Sequence, residues 1–458
     1  MKIAHDATRR QRSPQFFLAV ILITAASIPG FINLIPSGSA LLSTFIIDAT
    51  AAVMLFAAMA TLLRRDSHAA IGGWVVALVV LTAVYLALMF GGTEPTALEL
   101  TTFRNVVLYS YIAVFMAYTF DDRREIDALT NLVLVLAGIS SVFGILQAVL
   151  GNRLPLWLLR PRDAEVFGYF GTDITRSNGL IGNTIVFATY LTLMIALTFA
   201  KYMVRPQKRL IVLGVILLAA VYTTFSRAAI VGAAVVVALT FVLSRRDVLR
   251  AAVRLVAILI ATSAVAFAIY AIPAARLAAA NSFLYQQLFL GNNASVQGSN
   301  AGHALDIALG VQQFNQSPAI GVGLGSQSQI STLSDFGISI TDGAFWSRLA
   351  ETGLLGMGAH IAVALTTIVF AWRLWRSSRR TNYLALAYIS YASYEFAVAA
   401  FVNSGYYGKT PFVLAWAFFG LAVATGRTET TEGDSPGRGR SQFPERSDVK
   451  SELDRLDA

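Results

Sequence analysis

Two arginines of this sequence lie beside long apolar segments, where positive charge is unusual. Arg176 precedes one apolar segment within residues 175–183, and Arg227 follows Ser226 between two others. A guanidinium group binds phosphate through two parallel N–H donors, and a serine hydroxyl adds another donor. These residues form a candidate phosphate-binding site. The alternatives are an arginine that extends its charge to the membrane surface and, for Arg176, a loop-end anchor.

A second candidate group is His303 with Asp306. Their three-residue spacing places both side chains on one face of a predicted helix, for which Ser299 or Asn300 is the predicted N-cap. A neutral imidazole next to a carboxylate can bind a ligand or transfer a proton, whereas a surface histidine on an amphipathic helix is the alternative. The sequence supplies no evident third ligand, so we predict neither a metal site nor a cofactor.

A third candidate is Asp342, which precedes a glycine and the aromatic pair Phe345 and Trp346. A carboxylate at the mouth of a membrane cavity can accept a proton from a hydroxyl group, and aromatic faces suit the CH surfaces of sugars. The alternative is that Asp342 caps the helix predicted to follow it. Both roles are compatible with each other.

Two further carboxylates, Asp48 and Glu395, lie inside apolar segments. Ionisable groups within a membrane are functional candidates by default, because their burial is unfavourable. The alternative, which we favour slightly, is that each is a buried structural partner of an arginine on the outer side. We therefore group them with Asp306 and Trp346 as supporting candidates.

The composition is that of a membrane protein with several spans. Of the 458 residues, 56% are hydrophobic and 13% are charged, against about 25% charged in soluble domains. Apolar runs of about 17–25 residues recur, the length that crosses a hydrocarbon core of about 30 Å. The net charge of +9 does not indicate nucleic-acid binding, because the basic residues lie at the ends of the apolar runs. The chain has no cysteine, which excludes disulfides and thiolate chemistry.

We predict an all-α polytopic membrane protein with about 12 transmembrane helices between residues 16 and 426. The predicted spans are 16–35, 41–63, 70–90, 105–120, 128–150, 180–200, 210–224, 228–243, 251–272, 353–372, 383–402 and 410–426. Residues 1–15 form a predicted cytosolic N-terminus and residues 427–458 a predicted disordered cytosolic tail. Residues 273–352 form one long external loop that contains short helices.

The distribution of basic residues predicts the orientation. With the N-terminus inside, 20 of the 35 Lys and Arg residues fall in the short inner segments, 9 in the longer outer segments and six in the tail after residue 426. Positive charge concentrates on the cytosolic side of a membrane. Both chain ends are therefore predicted to be cytosolic, with Arg176, Arg227 and the 273–352 loop together on the outer side.

The order of these motifs resembles a known family over residues 130–425. An outer Arg-Ser-x-Gly precedes a span, and a Ser226-Arg227 tip follows. A long loop then carries Pro-x-x-Gly-x-Gly-x-Gly at 318–325, and Glu-Thr-Gly-Leu-Leu-Gly stands at 351–356. This pattern is similar to the O-antigen ligase and polysaccharide polymerase superfamily of bacterial inner membranes.

The resemblance implies a metal-independent, inverting glycosyltransferase with a GT-C-like fold, acting on undecaprenyl-pyrophosphate-linked glycans at the periplasmic face. It implies that Arg176 and Arg227 hold the pyrophosphate, and that Asp342 or His303 handles the acceptor proton. The family commonly has Arg where this chain has His303, and the ligases have His where it has Asp342. These departures favour a polymerase of repeat units, which can work with a chain-length regulator protein. A ligase that uses lipid A-core, and a transporter of the same lipid-linked sugar, are the alternatives.

Overall fold

The structure is a computed structural model and describes most of the chain. Described residues are 13–32, 42–64, 72–91, 96–154, 166–169, 172–245, 247–250, 252–254, 256–257, 260, 272, 294–327, 343–378, 380–399 and 409–433. The predicted span 251–272 falls mostly outside them, and the predicted catalytic Asp342 falls outside them too.

The described chain is almost entirely helical. The α-helices are α1 Pro14–Ser27, α2 Pro29–Ile32, α3 Leu42–Arg64, α4 Gly73–Phe90, α5 Thr96–Val106, α6 Ile112–Thr119, α7 Arg123–Leu150, α8 Thr184–Val204, α9 Lys208–Thr223, α10 Arg227–Ser244, α11 Ala294–Gln316, α12 Ala344–Ser377, α13 Tyr383–Tyr394 and α14 Lys409–Gly433. Short 3₁₀ turns occupy Leu108–Tyr111 and Gly151–Arg153, and a π-helix occupies Glu395–Ala399.

Eight of the described helical segments are long and apolar enough to cross a membrane. They are Leu42–Ala60, Gly73–Phe90, Ala97–Thr119, Arg123–Leu150, Thr184–Val204, Arg227–Ser244, Ala344–Ser377 and Thr410–Thr428. The chain is therefore an α-helical membrane protein with several spans. The finer count of about 12 spans stays a prediction, because α1, α9 and α13 are shorter than that length criterion.

Helices α8 and α14 form the centre of the bundle. The apolar windows of α8 and α14 are 83% and 89% buried, against 33% for those of α3, α4 and α10. A helix that is apolar all round is stable only where other helices surround it or lipid covers it. Thus α8 and α14 are covered by protein, whereas α3, α4 and α10 present much of their apolar surface outwards.

Polar contacts fix which helix ends lie together. At one end, Lys201 Nζ donates to Asn131 Oδ1 (2.7 Å), Arg205 pairs with Asp127 (3.0 Å) and Tyr383 donates to Asp127 (2.8 Å). We call this the Arg205 end, where α7 and α13 begin and α8 ends. The opposite end, where α7 and α13 end and α8 and α10 begin, is the Arg176 end.

Three local features differ from the sequence-based expectations. Val166–Tyr169 and Thr172–Thr175 form an antiparallel pair of strands, β1 and β2, in a chain predicted to be all-α. Helix α11 begins at Ala294, so the predicted N-cap at Ser299 or Asn300 is wrong: both residues lie within the helix. Helix α14 continues to Gly433, beyond the predicted start of the tail at 427, and Arg427 donates to Ala117 O (2.7 Å).

Candidate functional site

The structure brings Arg176 against the turn that carries Ser226 and Arg227. Arg176 Nε donates to the carbonyl oxygen of Thr224 at 2.8 Å, three residues before Arg227. The neighbouring Ser177 reinforces the contact, since its amide donates to Thr223 O (3.1 Å) and its hydroxyl lies 2.8 Å from that of Thr223. The 2.8 Å and 3.1 Å bonds fix residues 176–177 on the end of α9.

Ser226 and Arg227 form the start of α10. Ser226 is the N-cap, and its hydroxyl accepts from the Ala229 amide (3.4 Å). The preceding residue, Phe225, has a φ of 53°, a left-handed conformation that is unfavourable for a residue with a Cβ atom. Such strain concentrates at ligand sites and turns that the surrounding structure holds in place. The tip is therefore a fixed turn, not a loose loop.

The segment 176–183, which we call the Arg176 loop, enters the bundle instead of lying on its surface. Ser177 and Asn178 are fully buried. Irregular backbone at this depth needs partners, because unsatisfied amides are costly in an apolar setting. Gln147 of α7 supplies them, since its Oε1 accepts from the amides of Asn178 (3.2 Å) and Gly179 (2.9 Å).

Helix α2 also contacts the Arg176 loop. The amide of Gly30, in α2, donates to Leu180 O at 2.9 Å. A Cβ atom at Gly30 would lie 2.8 Å from that oxygen, so only glycine permits the approach. The side-chain amide of Asn178 is buried and has no hydrogen-bond partner in the described structure. The Asn178 side chain thus has hydrogen-bond donors and an acceptor that the described fold leaves unused.

Glu395 lies at the same end of the bundle. Tyr394, the preceding residue, donates its hydroxyl to Ala228 O at 2.7 Å, one residue after Arg227. Glu395 is fully buried and opens a π-helix, a local widening that occurs often at functional sites. Neither carboxylate oxygen meets hydrogen-bond geometry with a donor in the described structure. Glu395 is therefore the supporting candidate that lies near the two arginines.

Asp48 has a different environment. Its carboxylate pairs with Arg104 at 3.0 Å and accepts a hydrogen bond from the Tyr109 hydroxyl. These contacts join α3 to α5 and to the segment after it. The favoured alternative, that Asp48 is a structural partner of a nearby arginine, agrees with this geometry.

His303 and Asp306 lie on α11, which packs against α12. His303 is half-buried and Asp306 is buried. Trp346 stands in the first turn of α12, with its ring centroid 5.1 Å from that of Phe345 in an edge-to-face arrangement. No described contact joins these residues directly to Arg176 or Arg227, so their membership of one site stays a prediction.

The two glycine-rich motifs of the sequence are bonded to each other. The turn after α11 docks on a kink of α12: Val322 N donates to Ala350 O (2.8 Å), and Leu354 N donates to Pro318 O (2.9 Å). Gly353 has a φ of 59° and interrupts α12 at this point. A Cβ atom on Gly353 would lie 2.6 Å from the backbone of Ala319. The motifs at 318–325 and 351–356 did not indicate that α12 is kinked.

Sequence reasoning also missed the buried pair Arg348 and Glu351. Arg348 Nη1 lies 2.5 Å from Glu351 Oε2, and the side chains are only 11% and 5% exposed. The signal was present, because opposite charges three residues apart on a predicted helix are neighbours. Arg348 lies near the start of α12, whose other end contacts α10, because Trp375 Nε1 donates to Leu243 O (3.1 Å).

The fold and these contacts define a class: an α-helical membrane protein whose Arg176 end collects buried polar and positive groups. Among the described residues there is no cluster of three metal-ligating side chains. No protein-family model matches the chain, and no curated protein matches it. The function must therefore be argued from the site.

Proposed function

We propose that the protein is a membrane-embedded glycosyltransferase that polymerises undecaprenyl-pyrophosphate-linked oligosaccharide repeat units into O-antigen, capsule or exopolysaccharide. The proposal includes about 12 spans in a GT-C-like arrangement within the bacterial inner membrane, with the site facing the periplasm. It rests on the resemblance in motif order and on one geometric observation at the Arg176 end.

That observation is the hydrogen bond from Arg176 to Thr224 O, which ties one arginine to the turn that carries the other. Had the two arginines been on opposite ends of the bundle, no single diphosphate could contact both. Residues 176 and 227 instead share one end, with Ser226 beside them. A diphosphate has two anionic groups, and two arginines match it in charge and in hydrogen-bond geometry.

The start of α10 adds to this electrostatic match. A helix N-terminus carries a partial positive charge and presents amide donors, which favours a bound phosphate. Helix α10 has 18 residues, long enough for a full dipole. In a site with little water, donors already aimed at developing charge lower the barrier strongly, and loss of one such donor costs about 3–4 kcal/mol in other enzymes.

The chemistry follows from the leaving group. The hydroxyl oxygen of an acceptor sugar forms a bond to the anomeric carbon as the bond from that carbon to the phosphate oxygen breaks. The pyrophosphate departs with the electron pair, and its new charge is stabilised by Arg176 and Arg227. Attack from the opposite face inverts the anomeric centre. Asp342, or alternatively His303, takes the hydroxyl proton.

The test is replacement of each arginine in the full-length protein. Arg176→Ala and Arg227→Ala should abolish extension of lipid-linked repeats by purified protein in proteoliposomes, with unchanged membrane abundance. Arg153→Ala is the matched control, because Arg153 is an exposed arginine of the same region that makes no contact with the α10 tip in the described structure. Normal chain extension by either site variant would refute the proposal.

Two alternatives give different outcomes in the same assay. A ligase would extend nothing unless lipid A-core were supplied as acceptor. A transporter would move lipid-linked sugar across the vesicle without forming new glycosidic bonds. Transporters typically hold their ionisable groups near the middle of the membrane, between two similar halves. Arg176 and Arg227 lie instead at one end of the bundle, which favours the enzyme.

A further inference from the structure

A groove runs along the outside of the bundle between α7 and α9. Its cavity volume is about 720 Å³, within the range of about 300–1,000 Å³ that small-ligand sites occupy. The α7 wall extends from Asn131 to Leu146, a length of about 22 Å at 1.5 Å per residue. Between those two residues every lining side chain of α7 is apolar or absent.

The groove opens sideways to the surroundings of the bundle. Gly138 allows close approach at its floor, since a Cβ atom there would lie 3.3 Å from Leu213 Cδ1 of α9. Val135 and Ile139 on its rim are 59% and 52% exposed. Apolar rims that face outwards on a membrane-spanning helix meet lipid hydrocarbon. The groove is therefore open to a lipid chain along its length.

Its polar lining lies at one end only. Asn131 and Arg209 are the polar residues that line it, and both lie at the Arg205 end, where α7 and α9 begin. Arg209 is exposed, and its Nε donates to Gln207 Oε1 at 2.7 Å. Among the described residues, no carboxylate forms an ion pair with Arg209. A cation thus stands at the end of an apolar groove.

Further positive charge surrounds that end. Lys201 donates to Asn131 at 2.7 Å. It also lies close enough to Arg205 and Arg209 to be repelled by their positive charges. The carboxylate of this group is Asp127, which is already engaged by Arg205 and by the Tyr383 hydroxyl. Three cations therefore face one occupied carboxylate. This excess attracts an anionic headgroup.

We propose that this groove binds an anionic phospholipid, with the headgroup phosphate on Arg209 and an acyl chain along α7. Basic pockets between transmembrane helices are known to take anionic lipid headgroups. The far end of the groove, at Leu146, adjoins Gln147, which holds the Arg176 loop. Bound lipid thus supports the spacing of the two helices, α7 and α9, that position Arg176. The lipid site itself does not depend on the proposed reaction.

The experiment measures lipid retained by the full-length protein. Protein is equilibrated in mixed micelles with equal amounts of phosphatidylglycerol and phosphatidylcholine, and bound lipid is counted by native mass spectrometry. We expect wild type to retain phosphatidylglycerol selectively. Arg209→Ala should lower that retention about fivefold, the effect of one cation near a lipid phosphate. Ile139→Trp, which fills the groove, should lower retention without changing the charge.

Matched controls keep the outcome interpretable. Arg250→Ala removes an exposed arginine that pairs with Asp247, and Val215→Trp adds an indole to the exposed face of α9 outside the groove lining. Both should retain phosphatidylglycerol as wild type does. Equal retention by wild type and Arg209→Ala overturns the proposal. It is also overturned if Ile139→Trp displaces a polyprenyl lipid while phosphatidylglycerol binding is unchanged.

Discussion

Arg348 and Glu351, one turn apart on α12, form a 2.5 Å ion pair that is almost completely buried. Glu351 also connects to the turn before it, because its Oε1 accepts from the Gln327 amide (3.4 Å) and its carbonyl accepts from Gly323 N (3.2 Å). The pair therefore fastens the glycine-rich turn that follows α11 to the kinked start of α12. Its role is to hold these two segments together.

We expect Glu351→Ala to destabilise the protein by about 3–5 kcal/mol, because it removes the carboxylate that pairs with the buried Arg348 side chain. Thermal unfolding in detergent measures the change. The exposed pair Arg250 and Asp247 is the control, with side chains 81% and 51% exposed. Arg250→Ala should change stability by only about 0–1 kcal/mol. If both alanine variants changed the stability by the same amount, the burial of the Arg348–Glu351 pair would not account for its effect.

The kink of α12 gives a second prediction. Gly353 has φ 59° and ψ −160°, a backbone region that is almost restricted to glycine, and its Cβ position is occupied by the turn at Ala319. Gly353→Ala should cost about 2–4 kcal/mol of stability. Gly358, on the same helix, has no atom within 4 Å of its Cβ position. Gly358→Ala should instead stabilise by up to about 1 kcal/mol. Thermal unfolding of both variants measures whether each substitution lowers or raises the stability.

The helices were predictable because each apolar run fills a membrane span, and the segments predicted at 41–63, 128–150 and 228–243 coincide closely with α3, α7 and α10. Helix α14 ends seven residues beyond its predicted span. Extra turns there depend on side-chain caps and on contacts such as Arg427 with Ala117 O, which hydropathy does not register.

The candidate site was predictable only in part. Lone arginines beside apolar runs identified Arg176 and Arg227, because charge at a membrane boundary stands out in a sequence. Gln147 did not stand out, since one glutamine within an apolar helix carries no signal of its partner 32 residues away. The kink at Gly353 was hidden for a similar reason: it depends on the backbone of a separate turn.

Gln147 provides the third prediction. Gln147→Leu keeps the side-chain volume but removes the acceptor for two buried amides, at a cost of about 1–3 kcal/mol for each. The Arg176 loop should then lose its fixed position, and chain extension should fall even at temperatures where the protein stays folded. Gln312→Leu, at an exposed position of α11, is the control and should extend chains normally. Normal extension by Gln147→Leu would show that the loop does not need this anchor.

Two substitutions of Asp48 distinguish a structural role of its carboxylate from a role in the reaction. Asp48→Asn keeps one oxygen acceptor for Arg104 and turns an amide N–H towards the Tyr109 hydroxyl, whose oxygen can accept it, so we expect chain extension to persist. Asp48→Ala removes that acceptor and should lower stability by about 1–3 kcal/mol. Extension assays and thermal unfolding on the same preparations give both readouts. Loss of extension in a fully stable Asp48→Asn variant would mean that this carboxylate takes part in the chemistry.

Glu395 should show the opposite pattern. A carboxyl group that is fully buried without an ion pair among the described residues costs stability, so Glu395→Leu is expected to raise the unfolding temperature. Glu395 therefore does not stabilise the fold. It lies next to Tyr394, which contacts Ala228, the residue after Arg227. We therefore expect the same variant to lose chain extension. Glu395→Gln should lose extension as well, because an amide of the same shape cannot ionise as a carboxyl group does. If Glu395→Gln extends chains as wild type does, Glu395 takes no part in the reaction and contributes only to packing.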